Sequence, residues 1–262
     1  MPNTIAPPIH ARDFPPASVL LAGAGPGDAD LVTMGVVRAL AQADVVLHDR
    51  LVSAEVLALA GPAARLIDVG KEGFGASTAQ GDICAALVAH ARAGARVLRL
   101  KAGDPGVYGR LDEELAALDA AGIVWRVLPG ITAASAAAAA IGQGLTQRGR
   151  NTGIRILTGH DVAGFADQDW RGLAQPGTAA AIYMAKRAAR FLQGRLMMHG
   201  AAPQTPLTLV ENASRADQRI HAATLSTLPE AAAAATGPAI LLYGIAPRCA
   251  ANAIADLKEA RA

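Results

Sequence analysis

The sequence predicts an α/β fold in two α/β domains, a largely parallel N-terminal sheet followed by a mixed C-terminal one. Three observations carry this. Short apolar runs alternate with helical stretches from Val19 to about Ile131. Two glycine-proline loops each follow an apolar run directly. After Pro129-Gly130, strands become more frequent and crossover helices fewer. Strand-helix alternation favours parallel pairing with helices on both faces, whereas successive strands favour an α+β arrangement.

In order, the N-terminal strands are expected at Val19–Ala24, Asp44–His48, Arg65–Val69, Arg96–Leu100 and Ile123–Leu128. Helical spacing occupies Leu31–Gln42, Ala54–Ala60, Ala79–Ala93 and Arg110–Ala121, with Gly61-Pro62, Gly94 and Gly122 as stop signals. An alanine-rich helix over about Thr132–Ile141 opens the second half. Strands follow at Ile154–Thr158, Thr178–Met184, Leu207–Glu211, Arg219–Ala223 and Ala239–Tyr243, the pair around Asn212–Gln218 forming a hairpin. The expected domains are residues 18–130 and 131–250, behind a flexible tail at 1–17, with the ligand site in the cleft where the two meet.

Composition narrows the function. The chain has 262 residues, 24 basic and 22 acidic, for a net charge of +2. That balance argues against nucleic acid as the main partner. Cys84 and Cys249 stand far apart in sequence, and none of the six histidines forms an HExxH pair, so no structural metal and a reducing cytoplasm are expected. The run Ala136–Ala140 is too short to span a membrane, so no membrane partner is expected.

The loops point to a small-molecule site with backbone walls. Gly23-Ala24-Gly25-Pro26-Gly27-Asp28 follows Val19-Leu20-Leu21-Ala22, and Gly103-Asp104-Pro105-Gly106 follows Val97-Leu98-Arg99-Leu100. The strand ends of open α/β sheets are where ligands collect, and glycine lets the backbone approach them. The first loop reads GxGxG rather than the dinucleotide GxGxxG. Its Pro26 also removes an N–H that a pyrophosphate cradle would use. No GxxxxGK[ST] occurs, which excludes a P-loop.

On these residues the chain resembles the tetrapyrrole (corrin/porphyrin) methylase family. The first signature runs from Gly23 to Asp28 and through Leu31-Val32-Thr33. The second comprises Val97, Leu100, Gly103-Asp104 and Tyr108-Gly109, ending at Pro129-Gly130. His48-Asp49-Arg50-Leu51-Val52-Ser53, Val69-Gly70-Lys71, Ser77, Thr158-Gly159-His160, Tyr183-Met184 and Glu211-Asn212 are similar to the branch that methylates uroporphyrinogen III. The resemblance implies S-adenosyl-L-methionine as co-substrate, S-adenosyl-L-homocysteine as product and a homodimer. The implied reaction is methylation of uroporphyrinogen III at carbons 2 and 7 to precorrin-2, feeding sirohaem, cobalamin or haem d1 synthesis. The alternatives are methylation of a later precorrin and tetrapyrrole binding without this activity.

The resemblance also assigns residues. Asp49 is implied as proton acceptor and Lys71 as its proton-donating partner, with Arg110 also in the catalytic set. Pro26, Ala102, Gly103, Asp104, Val107, Thr132, Ala133, Met184 and Ala213 are implied to line the cofactor. The substrate carries eight carboxylates, which call for forked guanidinium groups, so Arg50, Arg148 and Arg150 join Arg110 as candidates. Glu114 is expected to hold Arg110 through the four-residue helical spacing. Gln147 and His160 are expected to add neutral hydrogen bonds. Gly106 and Leu111 replace the residues usual in the family and are expected to alter the substrate-side wall.

Overall fold

A computed structural model describes residues 13–70, 79–161 and 164–248. Lys71, Ser77, Cys249 and residues 1–12 of the expected tail lie outside them. The chain divides into two compact units, one ending at Thr132 and the other beginning at Ala133.

The first unit runs β1 (Ser18–Gly23), α1 (Met34–Gln42), β2 (Val45–His48), α2 (Ala54–Leu57), β3 (Arg65–Asp68), α3 (Gln80–Arg92), β4 (Arg96–Lys101), α4 (Leu111–Ala120) and β5 (Val124–Leu128). Its sheet has the order β3-β2-β4-β1-β5, and every pairing is parallel. The apolar runs reflect burial on both faces. Leu20 and Ala22 of β1 pack in one cluster with Val36 and Leu40 of α1, while Val19 and Leu21 pack with Leu87 and Leu118 from α3 and α4. Each such leucine contributes about 2 kcal/mol by leaving water.

This order has a functional consequence. The chain leaves β1 towards β2 on one side and leaves β4 towards β5 on the other, although β1 and β4 are neighbours. Their C-terminal ends therefore form a topological switch point, the usual ligand crevice of open α/β sheets.

The second unit runs α5 (Ala133–Ala140), β6 (Arg155–Thr158), β7 (His160–Asp161), β8 (Gly164–Phe165), α6 (Trp170–Leu173), β9 (Ala180–Tyr183), α7 (Ala185–Met198), β10 (Pro206–Glu211), β11 (Arg219–Thr224), α8 (Leu228–Ala234) and β12 (Ala239–Tyr243). Its sheet order is β11-β10-β12-β9-β6, mixed as expected: β6 and β9 are parallel and the other pairs antiparallel. The expected hairpin is β10–β11.

Two departures from the sequence reading bear on Met184. The strand expected to run through Met184 stops at Tyr183, and Met184 turns left-handed (φ 54°) to start α7. The 14-residue α7 is itself unanticipated. Its buried face, Ala185, Ala188, Ala189, Leu192 and Leu196, has helical spacing and packs on Leu207, Leu209 and Leu241 of the sheet. No helix among the described residues is long and apolar enough to cross a membrane.

Candidate functional site

Three glycines at the ends of adjacent strands form the floor of the first unit's switch point. A methyl group on Gly23 would lie 2.5 Å from the Gly103 carbonyl oxygen and 2.6 Å from the Gly130 Cα. One on Gly130 would meet the same carbonyl and the Gly23 Cα. Backbone meets backbone here, which only glycine permits. The Gly25 and Gly103 amides donate to each other's carbonyls at 3.2 and 2.7 Å, both residues with positive φ. Asp104 fastens the seam. Its Oδ1 accepts from the Gly106 amide at 2.8 Å and its Oδ2 from the Gly130 amide at 2.9 Å. Ser53 ties in the loop after β2. It donates to the Gly27 carbonyl at 2.5 Å and caps α2 through the Val56 amide.

Pro26, Ala102, Gly103, Asp104 and Val107, five of the six residues of this unit expected to line a cofactor, are all partly exposed on these loops. Thr132 closes the unit and is half-buried. Small side chains and reachable backbone suit a ligand held largely by main-chain groups.

Beside this seam lies a charge cluster that sequence reasoning missed. Arg99 and Lys101, two residues apart on β4, are 2% and 3% exposed, and Glu114 of α4 is fully buried between them. Arg99 Nε and Lys101 Nζ donate to Glu114 Oε1 at 3.0 and 2.8 Å, and the Gln80 amide joins at 3.3 Å. Arg99 Nη2 reaches Asp49 Oδ1 at 2.5 Å. Burial, and next the neighbouring Arg99 charge, pull Lys101 below the usual lysine range, with Glu114 opposing. Removing one partner from such a cluster strands a buried charge, at a typical cost of about 3–5 kcal/mol. Once the strand is known to be buried on both sides, two cations two apart on one face of it require a partner carboxylate.

The cluster corrects one expectation. Glu114 does not hold Arg110 and has no surface to offer a substrate, because it is committed to Arg99 and Lys101. Glu113 takes its place. Arg110 precedes α4 in a left-handed conformation, and its Nε and Nη2 donate to Glu113 Oε1 and Oε2 at 2.7 and 2.6 Å. The third helical residue thus pairs with the side chain of the residue that precedes the helix, at the (i, i+3) spacing. The hydrogen bonds to Glu113 raise the Arg110 pKa, and those from Arg110 lower that of Glu113. Leu111, expected to alter the substrate-side wall, is half-buried and packs against the core cluster that includes Ile83 and Leu87.

Asp49 follows β2 with its side chain 31% exposed, so its carboxylate is anchored by Arg99 and still reachable. The adjacent Arg50 is exposed and its backbone packs against Gly70. Lys71 lies outside the described residues.

In the second unit, the loop between β10 and β11 carries Ala213, which is buried between Asn212 and Ser214, both left-handed at φ 49° and 67°. Met184 is 50% exposed at the start of α7. The Tyr183 hydroxyl accepts from the Ala134 amide at 3.1 Å, tying the α5 start beside Ala133 to the residue before Met184. Arg148 is exposed. Arg150 holds its own loop together, donating to the Gly144 carbonyl at 2.6 Å and to Asn151 Oδ1 at 3.1 Å. It lines a concavity of about 470 Å³ whose walls include neither Met184 nor Ala213. Gln147 is exposed, and the ring of His160 lies 4.9 Å from that of Phe165. Among the described residues, no group of histidine, cysteine, aspartate and glutamate side chains is arranged to hold a metal ion.

Comparison with known proteins shows the family and the fold. The siroheme synthase of Edwardsiella ictaluri is 44% identical over 226 residues, covering 86% of this chain and 49% of that protein. The chain thus spans about half the length of the curated relatives it matches. The crystal structure of a uroporphyrin-III C-methyl transferase from Thermus thermophilus, complexed with S-adenyl homocysteine, superposes with a TM-score of 0.75 at 36% identity, covering 87% of this chain and 97% of that one. A cobalt precorrin-4 methyltransferase superposes with a TM-score of 0.77 at 26% identity, over 87% and 95%. The family described as Tetrapyrrole (Corrin/Porphyrin) Methylases matches residues 18–229, and the chain belongs to it.

Proposed function

We propose that this chain transfers methyl groups from S-adenosyl-L-methionine to carbons 2 and 7 of uroporphyrinogen III, giving precorrin-2 and S-adenosyl-L-homocysteine. The observation that carries the reading is the glycine seam at the switch point with the Arg99-anchored Asp49 beside it. The Thermus relative crystallised with S-adenyl homocysteine supports the choice of cofactor.

When bound, the sulfonium nucleoside supplies an activated methyl group, so the chain's own task is alignment, exclusion of water and proton management. Pro26, Ala102, Gly103, Asp104, Val107, Thr132, Ala133, Met184 and Ala213 are the residues we assign to it. Asp49 accepts the proton that the cationic macrocycle sheds from another of its atoms once the new carbon–carbon bond has formed, because the methylated ring carbon itself carries no hydrogen, and Arg99 fixes the direction in which the carboxylate is offered. Lys71 is its assigned proton-donating partner. Arg50, Arg110 and Arg148 are assigned to substrate carboxylates. Arg110 must exchange its bidentate Glu113 partner to take one.

A methyltransferase acting on a later precorrin is the second reading, favoured by the fold match to the cobalt precorrin-4 enzyme. The higher identity to the uroporphyrin-III enzyme supports the first. Anaerobic incubation of the purified chain with uroporphyrinogen III and S-adenosyl-L-methionine, followed by mass analysis, decides between them. Two added methyl groups are expected. No addition by folded protein that methylates a later precorrin would establish the second reading.

A further inference from the structure

The second unit contains a small keystone that none of the assigned contacts includes. Glu211, the last residue of β10, is 1% exposed and devotes its carboxylate to the turn before β12. Its Oε1 accepts from the Thr236 amide at 2.7 Å, the Thr236 hydroxyl at 3.0 Å and the Gly237 amide. Its Oε2 lies 3.1 Å from His221 Nε2. On the other side of the turn, Lys186 of α7, two residues after Met184, donates its Nζ to the Gly237 carbonyl at 2.7 Å.

The turn then grips the loop that carries Ala213. The Asn212 amide donates to the Pro238 carbonyl at 2.9 Å. A methyl group on Gly237 would lie 2.6 Å from Asn212 Oδ1, so the glycine is needed for the Asn212 side chain to lie flat on the turn. Asn212 and Ser214 adopt left-handed backbone that non-glycine residues resist, and such conformations persist only where surrounding bonds over-determine them. One three-residue turn thus connects the start of α7, with Met184, to the loop with Ala213.

We propose that the Thr236–Gly237–Pro238 turn is the positioning element for the second unit's cofactor contacts, with Lys186 and Glu211 as the positioning residues that lock it. The inference rests on the assignment of Met184 and Ala213 to the nucleoside and adds a mechanism for fixing both at once. Lys186 pulls the turn towards Met184, and Glu211 sets its height against the strand. Neither side chain is assigned a contact with the ligand.

The experiment is calorimetric titration of S-adenosyl-L-homocysteine into the full chain, with steady-state kinetics on the same preparations. Lys186→Met should raise the Kd about tenfold, the loss of one hydrogen bond from a charged donor. It should leave the tetrapyrrole KM and the kcat at saturating S-adenosyl-L-methionine within about twofold, because groups in the transition state are untouched. Lys186→Arg, which keeps a donor, should recover most of the affinity. Gly237→Ala combined with Lys186→Met should weaken binding less than the two separate effects added together, since both act through one turn. A Lys186→Met protein of unchanged melting temperature that binds the nucleoside like the parent would overturn the proposal. So would an equal rise in both KM values. If the folded parent chain binds no S-adenosyl-L-homocysteine at all, the functional reading fails and this inference with it.

Discussion

Both units use a single carboxylate to hold loops at the ends of their strands, but by opposite means. In the first unit Asp104, partly exposed, accepts from two glycine amides, Gly106 and Gly130. The fit there comes from three glycine backbones in contact, and the carboxylate secures an arrangement that sterics already favour. In the second unit the loop around Ala213 runs through left-handed Asn212 and Ser214, which sterics disfavour. The buried Glu211, with donors from Thr236, Gly237 and His221, holds the neighbouring turn against it. The first region is shaped by what its residues lack, and the second by a charge that must stay ionised. They should therefore fail differently, the first to added volume and the second to acid.

The largest effect is expected from Gly130→Ala, whose methyl group would enter the Gly103 carbonyl and Gly23 backbone. A loss of about 3 kcal/mol, the upper end for overpacking, should appear in denaturant melts together with lost affinity for S-adenosyl-L-homocysteine. Wild-type-like stability would break the steric half of the comparison.

Acid tests the other half. The hydrogen bond donated by the Gly237 amide, with help from His221 and Thr236, holds Glu211 at about 2, well below its ordinary 4.5, against the opposing pull of desolvation. A depressed carboxylate contributes its stability above the unfolded value and loses it as pH falls. Stability of the second unit should thus decline between about pH 4.5 and pH 2, by roughly 3 kcal/mol in full. The Glu211→Gln chain, followed by circular dichroism over the same range, should lack this component. Equal acid profiles for the two chains would contradict the assignment.

Asp104→Asn keeps one accepting oxygen and loses the other. Its expected effect is about 1 kcal/mol in stability, the worth of one hydrogen bond, with nucleoside affinity weakened about fivefold. A larger effect than that of Gly130→Ala would mean that the carboxylate, not the glycines, shapes the seam. Smallest is Glu113→Gln. The exposed pair with Arg110 contributes little, so the melting temperature should stay within a degree or so. The tetrapyrrole KM should fall modestly as Arg110 becomes free, while nucleoside affinity stays constant. A change in nucleoside affinity would place Arg110 elsewhere in the account.

How much of this could be read from sequence follows the same division. Gly23, Gly103 and Gly130 were legible because their requirement belongs to the backbone and recurs after each apolar strand. The parallel sheet and the β10–β11 hairpin were legible from periodicity alone. The Arg99–Glu114–Lys101 cluster was not found, because a charged residue in a strand reads as a surface residue until the strand is known to be buried on both faces. The four-residue spacing from Arg110 to Glu114 brings side chains together only inside a helix, whereas Arg110 sits outside it as the cap and meets Glu113. Glu211 and Asn212 carried a family resemblance, but the partners that give Glu211 its work, Thr236 and Gly237, lie 25 and 26 residues further on. No local rule connects them.

The most direct test of the central claim is a crystal structure of the full chain with S-adenosyl-L-homocysteine bound. The nucleoside is expected against the Gly103–Asp104 backbone and the Gly130 turn, and in contact with Met184 and Ala213, the residues proposed to hold it. A well-ordered nucleoside that touches neither the glycine seam nor those two residues would contradict the account.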